Sequence, residues 1–135
     1  MKRPEWVADE TVHALHDQLL AAFGGLAGVR DEGLLASALS RPRTKAHYGS
    51  PDVFDLAAAY AFGLIKNHPF VDGNKRIGFT GAALFLELNG QFLEAPEAEA
   101  LVETLGLAAG DRTEAAYAAW LRRHSRRRKP RPTAR

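Results

Sequence analysis

Apolar side chains recur every three or four residues along most of this chain, a spacing typical of amphipathic helices. The first such segment runs from Asp9 to Phe23 and is followed by two glycines, which favour the left-handed backbone that closes a helix. A second, short helix is predicted after Asp31, a suitable N-terminal cap, and we expect it to stop before Pro42. The prolines, glycine and polar residues of 41–52 then predict a loop or flap.

Two further segments, residues 54–67 and 77–88, are apolar on nearly every side. Helices without a polar face usually lie at the centre of a bundle. Two more helices are predicted, one from Pro96 to Leu107 and one from Thr113 to about His124. No segment shows the alternation of apolar and polar residues that is typical of a strand. A short hairpin in the flap or around 91–93 is the one exception that the sequence allows. The sequence therefore predicts an all-α domain of about six helices.

Composition narrows the class of protein further. A chain of 135 residues with 46% apolar and 25% charged residues is typical of one soluble globular domain. It contains no cysteine, which excludes disulfides, thiolate metal sites and cysteine nucleophiles and suits a reducing cytosol. The longest apolar run, 56–65, is too short to span a bilayer, and the N-terminus lacks the apolar stretch of a signal peptide. We therefore expect a cytoplasmic protein that does not enter a membrane.

Positive charge is concentrated at the C-terminus. Eight of the 18 Lys and Arg lie in residues 122–135, which contain no acidic residue, so residues 1–121 are net acidic although the chain is formally +2. We predict a globular domain over 1–121 and a basic, disordered tail over 122–135. Such a tail can attach to nucleic acid by electrostatics, so a non-enzymatic nucleic-acid-binding module stays open as an alternative.

Residues 68–76, HPFVDGNKR, join the two central helices and form the densest cluster of chemical groups in the chain. His68 lies at the edge of the incoming helix because Pro69 ends that helix, and an imidazole can accept a proton near neutral pH. Phe70 is the expected apolar anchor of the loop. Asp72 supplies carboxylate oxygens, which are the ligands that Mg²⁺ prefers.

Groups that bind anions follow directly. Gly73, Asn74 and Lys75 are predicted to start the next helix, where backbone N–H groups cradle phosphate oxygens. Lys75 and Arg76 add two positive charges. A base, a metal ligand, an amide cradle and two cations are the components of phosphoryl or nucleotidyl transfer. The same residues also suit an ordinary turn with Asp72 or Asn74 as a helix cap, so spacing alone leaves both interpretations open.

The nine-residue motif resembles the signature of the Fic/Doc family, and in particular that of its death-on-curing (Doc) toxin branch. The resemblance extends over residues 9–121, with its clearest further matches at 24–28, 31–39, 54–57 and 85–90. It implies a small all-α Fic fold that uses ATP and Mg²⁺ to modify a hydroxyl group of a protein, with the flap at 41–52 aligning the target.

The resemblance also implies roles for single residues. His68 is then the base that deprotonates the target hydroxyl, and Asp72 binds Mg²⁺. The nucleotide phosphates are held by a set of four residues that follow: Gly73, Asn74, Lys75 and Arg76. AMP-transferring Fic enzymes typically have glycine where this chain has Lys75. Doc proteins have lysine there, bind ATP in the reversed orientation and transfer its γ-phosphate.

Lys75 therefore favours a protein kinase, and an AMP transferase on the same fold is the alternative. For the Doc branch the substrate is a threonine of elongation factor Tu, a translation factor, and its modification arrests translation. No Ser or Thr here is followed four residues later by Glu, the pattern of the inhibitory helix in many Fic enzymes. We therefore expect a cognate antitoxin, in a type II toxin–antitoxin pair, that is a small DNA-binding protein whose disordered tail folds onto the toxin.

Two histidines on the first helix suggest a different site. His13 and His16 are three residues apart and could share a metal ion, but no third ligand lies nearby in the sequence. We interpret them as ordinary surface or groove histidines.

Overall fold

The computed structural model describes residues 3–127, which are helical except for short connections and two three-residue strands. The elements in chain order are α1 (Asp9–Phe23), α2 (Glu32–His47), α3 (Val53–Asn67), α4 (Asn74–Leu88), β1 (Gln91–Leu93), α5 (Glu97–Ala109), α6 (Glu114–Arg123) and β2 (Ser125–Arg127). The predicted all-α class with about six helices is confirmed. Within the described range, no helix is both long enough and apolar enough to cross a membrane.

Helix α3 lies at the centre of the domain, packed against α2, α4 and α6. Small residues allow the neighbouring helices to approach closely. A β-carbon at Gly63 would lie 3.0 Å from the carbonyl oxygen of Ala38 on α2. A β-carbon at Gly78 of α4 would lie 2.7 Å from the side chain of Ile65. The two apolar helices predicted from the sequence are therefore in tight contact, and the loop between them is held at both ends.

Helix α2 continues through Pro42 to His47, so the predicted stop before Pro42 was wrong, as was the predicted loop over 41–47. A proline inside a helix removes one backbone hydrogen bond, but the Pro42 ring is buried and gains contacts in the core. Arg41 and Lys45, on either side of Pro42, both bind Glu114 of α6. These contacts attach both sides of the proline to α6, and 48–52 remain as the connection to α3.

The C-terminal part of the described chain is also ordered. Strand β1 pairs antiparallel with β2, so the extended segment at 91–93 has a distant partner instead of a local hairpin. Arg122 lies in α6 and contacts Asp52 and Asp55 at the start of α3. The prediction of a disordered tail was therefore wrong for 122–127. Residues 128–135, which hold four of the eight basic residues of the predicted tail, lie outside the described residues.

Candidate active site

His68 directly follows the last residue of α3 and has a left-handed backbone, with φ 52° and ψ 53°. Among the described residues it is the one non-glycine residue with positive φ. A β-carbon makes this conformation unfavourable, so the surrounding structure must hold it. His68 is exposed, whereas the next residue, Pro69, is buried. The sharp turn therefore leaves the imidazole accessible while the chain that follows it enters the protein.

The side chain of Asn74 closes the loop between α3 and α4. Its amide oxygen accepts a hydrogen bond from the Phe70 N–H, and its amide nitrogen donates one to the Phe70 carbonyl oxygen, each over 3.0 Å. Phe70 is 1% exposed and Asn74 is 4% exposed, so Phe70 is confirmed as the apolar anchor. The Asn74 side chain is committed to the loop backbone, and it is the backbone N–H of Asn74 that remains for an anion.

His16 of α1 supports the same loop. Its ring stacks on Phe70 with 3.8 Å between ring centroids, and its Nε2 lies 2.8 Å from the Asp72 carbonyl oxygen. Because a carbonyl can only accept, Nε2 carries the proton in this contact. His16 is 3% exposed, so its interpretation as a surface or groove histidine was wrong. The sequence did contain a signal for this burial, because His16 lies one helical turn after the apolar Val12 and so on the same, buried face of α1.

The Asp72 carboxylate is exposed and oriented by two backbone groups. One oxygen accepts from the Leu26 N–H and the other from the Gly73 N–H, each over 3.1 Å. A β-carbon at Gly25 would lie 3.1 Å from the same carboxylate, so the second glycine after α1 makes room for Asp72. Each carboxylate oxygen keeps a lone pair for a metal ion. No group of three or more His, Asp or Glu residues among 3–127 is placed to hold one.

Helix α4 begins at Asn74, earlier than the apolar pattern starting at Ile77 predicts, and its N-cap is Gly73 with φ 78°. No side chain within the described residues caps this helix; the same holds for α1 and α5, whereas side chains cap α2, α3 and α6. The N–H groups of the first helical turn therefore have no partner within the helix, and the helix dipole adds partial positive charge there. The helix start predicted for an amide cradle is therefore present, and its binding of phosphate stays a prediction.

Two exposed cations stand beside the uncapped start of α4. They are Lys75 and Arg76, and the Arg76 guanidinium lies over the exposed ring of Phe23, 4.0 Å from its centroid. The aromatic face attracts the cation and restricts its orientation. The structure therefore brings all six predicted site residues into one loop and one helix start, although the Asn74 side chain faces the loop backbone.

Two depressions of the surface lie away from the motif. One of about 450 Å³ lies between α2 and α6, and one of about 290 Å³ is bounded by α1, α4 and β1. Neither is lined by a residue of 68–76. The candidate site is therefore identified by its chemical groups and not by the size of a cavity.

The chain is similar to a protein-family model and to known proteins. The sequence model of the Fic/DOC family matches residues 6–86, which include α1 and the whole motif. The chain is 34% identical over 119 residues to "Protein kinase doc" of Escherichia phage P1, covering 87% of this chain and 93% of that protein. It is 47% identical over 77 residues to "Toxin Doc" of Mycolicibacterium smegmatis, covering 55% of this chain and 58% of that protein.

Proposed function

The chain belongs to the Fic/DOC family, and from this premise we propose that it is a Doc-type protein kinase that transfers the γ-phosphate of ATP to a Ser or Thr hydroxyl. The observation that carries the proposal is the loop of 68–76, in which an exposed His68 and an uncapped helix start are held by the same buried contacts. The similarity to a protein named as a kinase favours phosphoryl transfer over AMP transfer. Lys75 favours the same choice, because AMP-transferring Fic enzymes typically have glycine there.

The described residues fit ATP and Mg²⁺. The first-turn N–H groups of α4 lack a side-chain cap, and exposed Lys75 and Arg76 lie beside them, an arrangement that suits phosphate oxygens. Asp72 offers an oriented, exposed carboxylate, and Mg²⁺ is usually held by one or two carboxylates together with substrate phosphates. A bound Mg²⁺ would offset negative charge on those phosphates.

The residues of the chain then divide the work of the transfer. His68 takes the proton of the target hydroxyl while the hydroxyl oxygen forms a bond to the γ-phosphorus of ATP. The bond between the γ-phosphorus and the bridging oxygen breaks, and ADP leaves with that oxygen. The N–H groups at the start of α4, with Lys75 and Arg76, stabilise the charge on the phosphoryl oxygens. Because Asn74 and His16 fix the loop beforehand, the groups need little reorganisation when the substrates bind.

We further propose that the substrate is a translation factor, elongation factor Tu, and that modification of its threonine arrests translation in the cytoplasm. The chain would then be the toxin of a type II toxin–antitoxin pair, in line with the similarity to a protein named Toxin Doc. Its partner would be a small DNA-binding antitoxin whose disordered tail folds onto the toxin.

Labelled ATP tests the proposed reaction. The purified protein is incubated with elongation factor Tu, Mg²⁺ and ATP that is labelled in the γ- or, separately, the α-phosphate. We expect label on the target from γ-labelled ATP alone, and we expect His68→Ala to abolish it. His124→Ala is the control, because its ring lies against Trp120 at the end of α6, away from the motif. Label from α-labelled ATP alone would identify an AMP transferase, and no transfer from either would refute the proposed enzyme.

A further inference from the structure

The segment 28–31, between α1 and α2, lies along the motif loop as an antiparallel neighbour. Val29 forms an isolated antiparallel bridge with Phe70. The backbone N–H of Arg30 donates to the carbonyl oxygen of Pro69 over 2.6 Å. The sequence presents these residues only as a connection before the second helix, but in the structure they support the turn that carries His68.

The side chain of Arg30 extends this support to the residues before Pro69. Its Nε donates to the His68 carbonyl oxygen over 2.7 Å, and one terminal nitrogen donates to the Asn67 carbonyl oxygen over 3.0 Å. Carbonyl groups at the end of a helix have no partner within the helix. The planar guanidinium presents several N–H groups in a fixed fork and can satisfy two of them at once. Arg30 thereby binds three successive carbonyl groups, on both sides of His68.

Two of these carbonyl groups, those of Asn67 and His68, belong to the peptide units on either side of the His68 α-carbon, whose orientations set its backbone angles. Both are bound by the Arg30 side chain. The left-handed conformation of His68 is unfavourable for a residue with a β-carbon, so it persists only where such contacts hold it. Arg30 also places a positive charge at the C-terminal end of α3, where the helix dipole favours a cation.

We propose that Arg30 is a positioning residue for the base: it holds His68 in its left-handed turn and thereby fixes the imidazole relative to the start of α4. The inference rests on the proposed function in so far as His68 is taken to be the base. Arg30 itself need not touch the substrate, because its hydrogen bonds all go to the backbone of the loop.

Two substitutions test this role. Arg30→Met removes both side-chain hydrogen bonds while keeping much of the apolar stem, and Arg30→Lys keeps the charge but lacks the fork. Arg123→Met is the matched control, because Arg123 is an exposed arginine at the end of α6 and loses the same charge. All of the variants are measured in the full chain.

The kinetic result should separate positioning from binding. We expect kcat for γ-phosphate transfer to fall on the order of 10- to 100-fold in Arg30→Met and by less in Arg30→Lys. The KM for ATP should stay within about twofold, because the groups that hold phosphate are unchanged. An unchanged kcat in Arg30→Met, or a higher KM for ATP with unchanged kcat, would overturn the proposal. A purely structural role would lower the melting temperature without this split.

A second measurement does not depend on activity. The imidazole carbon–proton resonance of His68, assigned by its loss in His68→Ala, reports the surroundings of the ring. We expect it to shift or broaden in Arg30→Met and to stay unchanged in Arg123→Met. An unchanged resonance in Arg30→Met would overturn the inference. If His68→Ala kept full activity, the proposed function would fail, and this resonance would still decide whether Arg30 holds His68.

Discussion

Replacing Asn74 by leucine should loosen the loop that carries the candidate site. The Asn74 amide makes both hydrogen bonds of the Phe70 backbone, and both residues are buried. Leucine has the same number and branching of side-chain heavy atoms as asparagine, so Asn74→Leu removes the two hydrogen bonds without opening a cavity. The Phe70 N–H and carbonyl group then remain inside the protein without a partner.

The expected loss of stability follows from these two groups. Each buried polar group left without a partner costs about 1–3 kcal/mol, and some relaxation is expected, so we predict a loss of about 2–4 kcal/mol in the free energy of unfolding. For 135 residues, this corresponds to a fall in melting temperature of about 7–14 °C. Small domains are stable by about 5–15 kcal/mol, so Asn74→Leu should still be folded at room temperature.

Urea unfolding measured by circular dichroism gives the free energy, and equilibrium binding of labelled ATP gives the nucleotide affinity of the same samples. Gln18→Leu is the control, because Gln18 is an exposed amide on α1, and it should change stability by less than about 0.5 kcal/mol. Suppose that Asn74→Leu had wild-type stability but had lost its affinity for ATP. The side chain would then belong to the phosphate site, and the reasoning from its contacts with Phe70 would be refuted.

Two more substitutions test the choice of reaction and the packing of α2. Lys75→Gly should reduce γ-phosphate transfer on the order of 10-fold or more, because a positive charge beside the phosphates is lost. Transfer is measured with γ- and α-labelled ATP, and undiminished γ-phosphate transfer would contradict the role of the lysine. Burial alone would raise the pKa of Glu114, but hydrogen bonds from Lys45 and Arg41, and their charges, outweigh burial and hold the pKa below its ordinary value. At pH values above its ordinary pKa, the Glu114 carboxylate therefore stabilises the folded state. This stabilisation is lost as the pH falls through the lower pKa that Glu114 has in the folded state. Glu114→Gln should cost about 1 kcal/mol at neutral pH, after allowance for solvent screening of the partly exposed cations, and less in acid. Urea unfolding at both pH values checks this, and an equal cost at both would count against it.

The sequence predicts a helix well where the spacing of apolar residues within that segment is enough to define it. The apolar periodicity places α1, α3 and α4 within a few residues of their observed bounds, because burial against one neighbour imposes helical spacing. It misplaces the end of α2, because the contacts that carry this helix past Pro42 come from Glu114, far along the chain. Local turn signals cannot reveal such a distant partner.

The same distinction applies to the candidate site. The motif predicts which chemical groups are present, because His68, Asp72 and the start of α4 are adjacent in the chain. It does not predict what holds them, since His16 and Arg30 reach the loop from segments that are distant in the sequence. These supporting contacts depend on how the helices pack, and they become visible only in the structure.

The mass of the modified target tests the central claim most directly. Elongation factor Tu is incubated with the protein, ATP and Mg²⁺, and its intact mass is measured before and after, with His68→Ala in parallel. We predict a gain equal to one phosphoryl group, located on a threonine and absent with His68→Ala. A gain equal to one AMP group, or an unchanged mass with the active protein, would contradict the account.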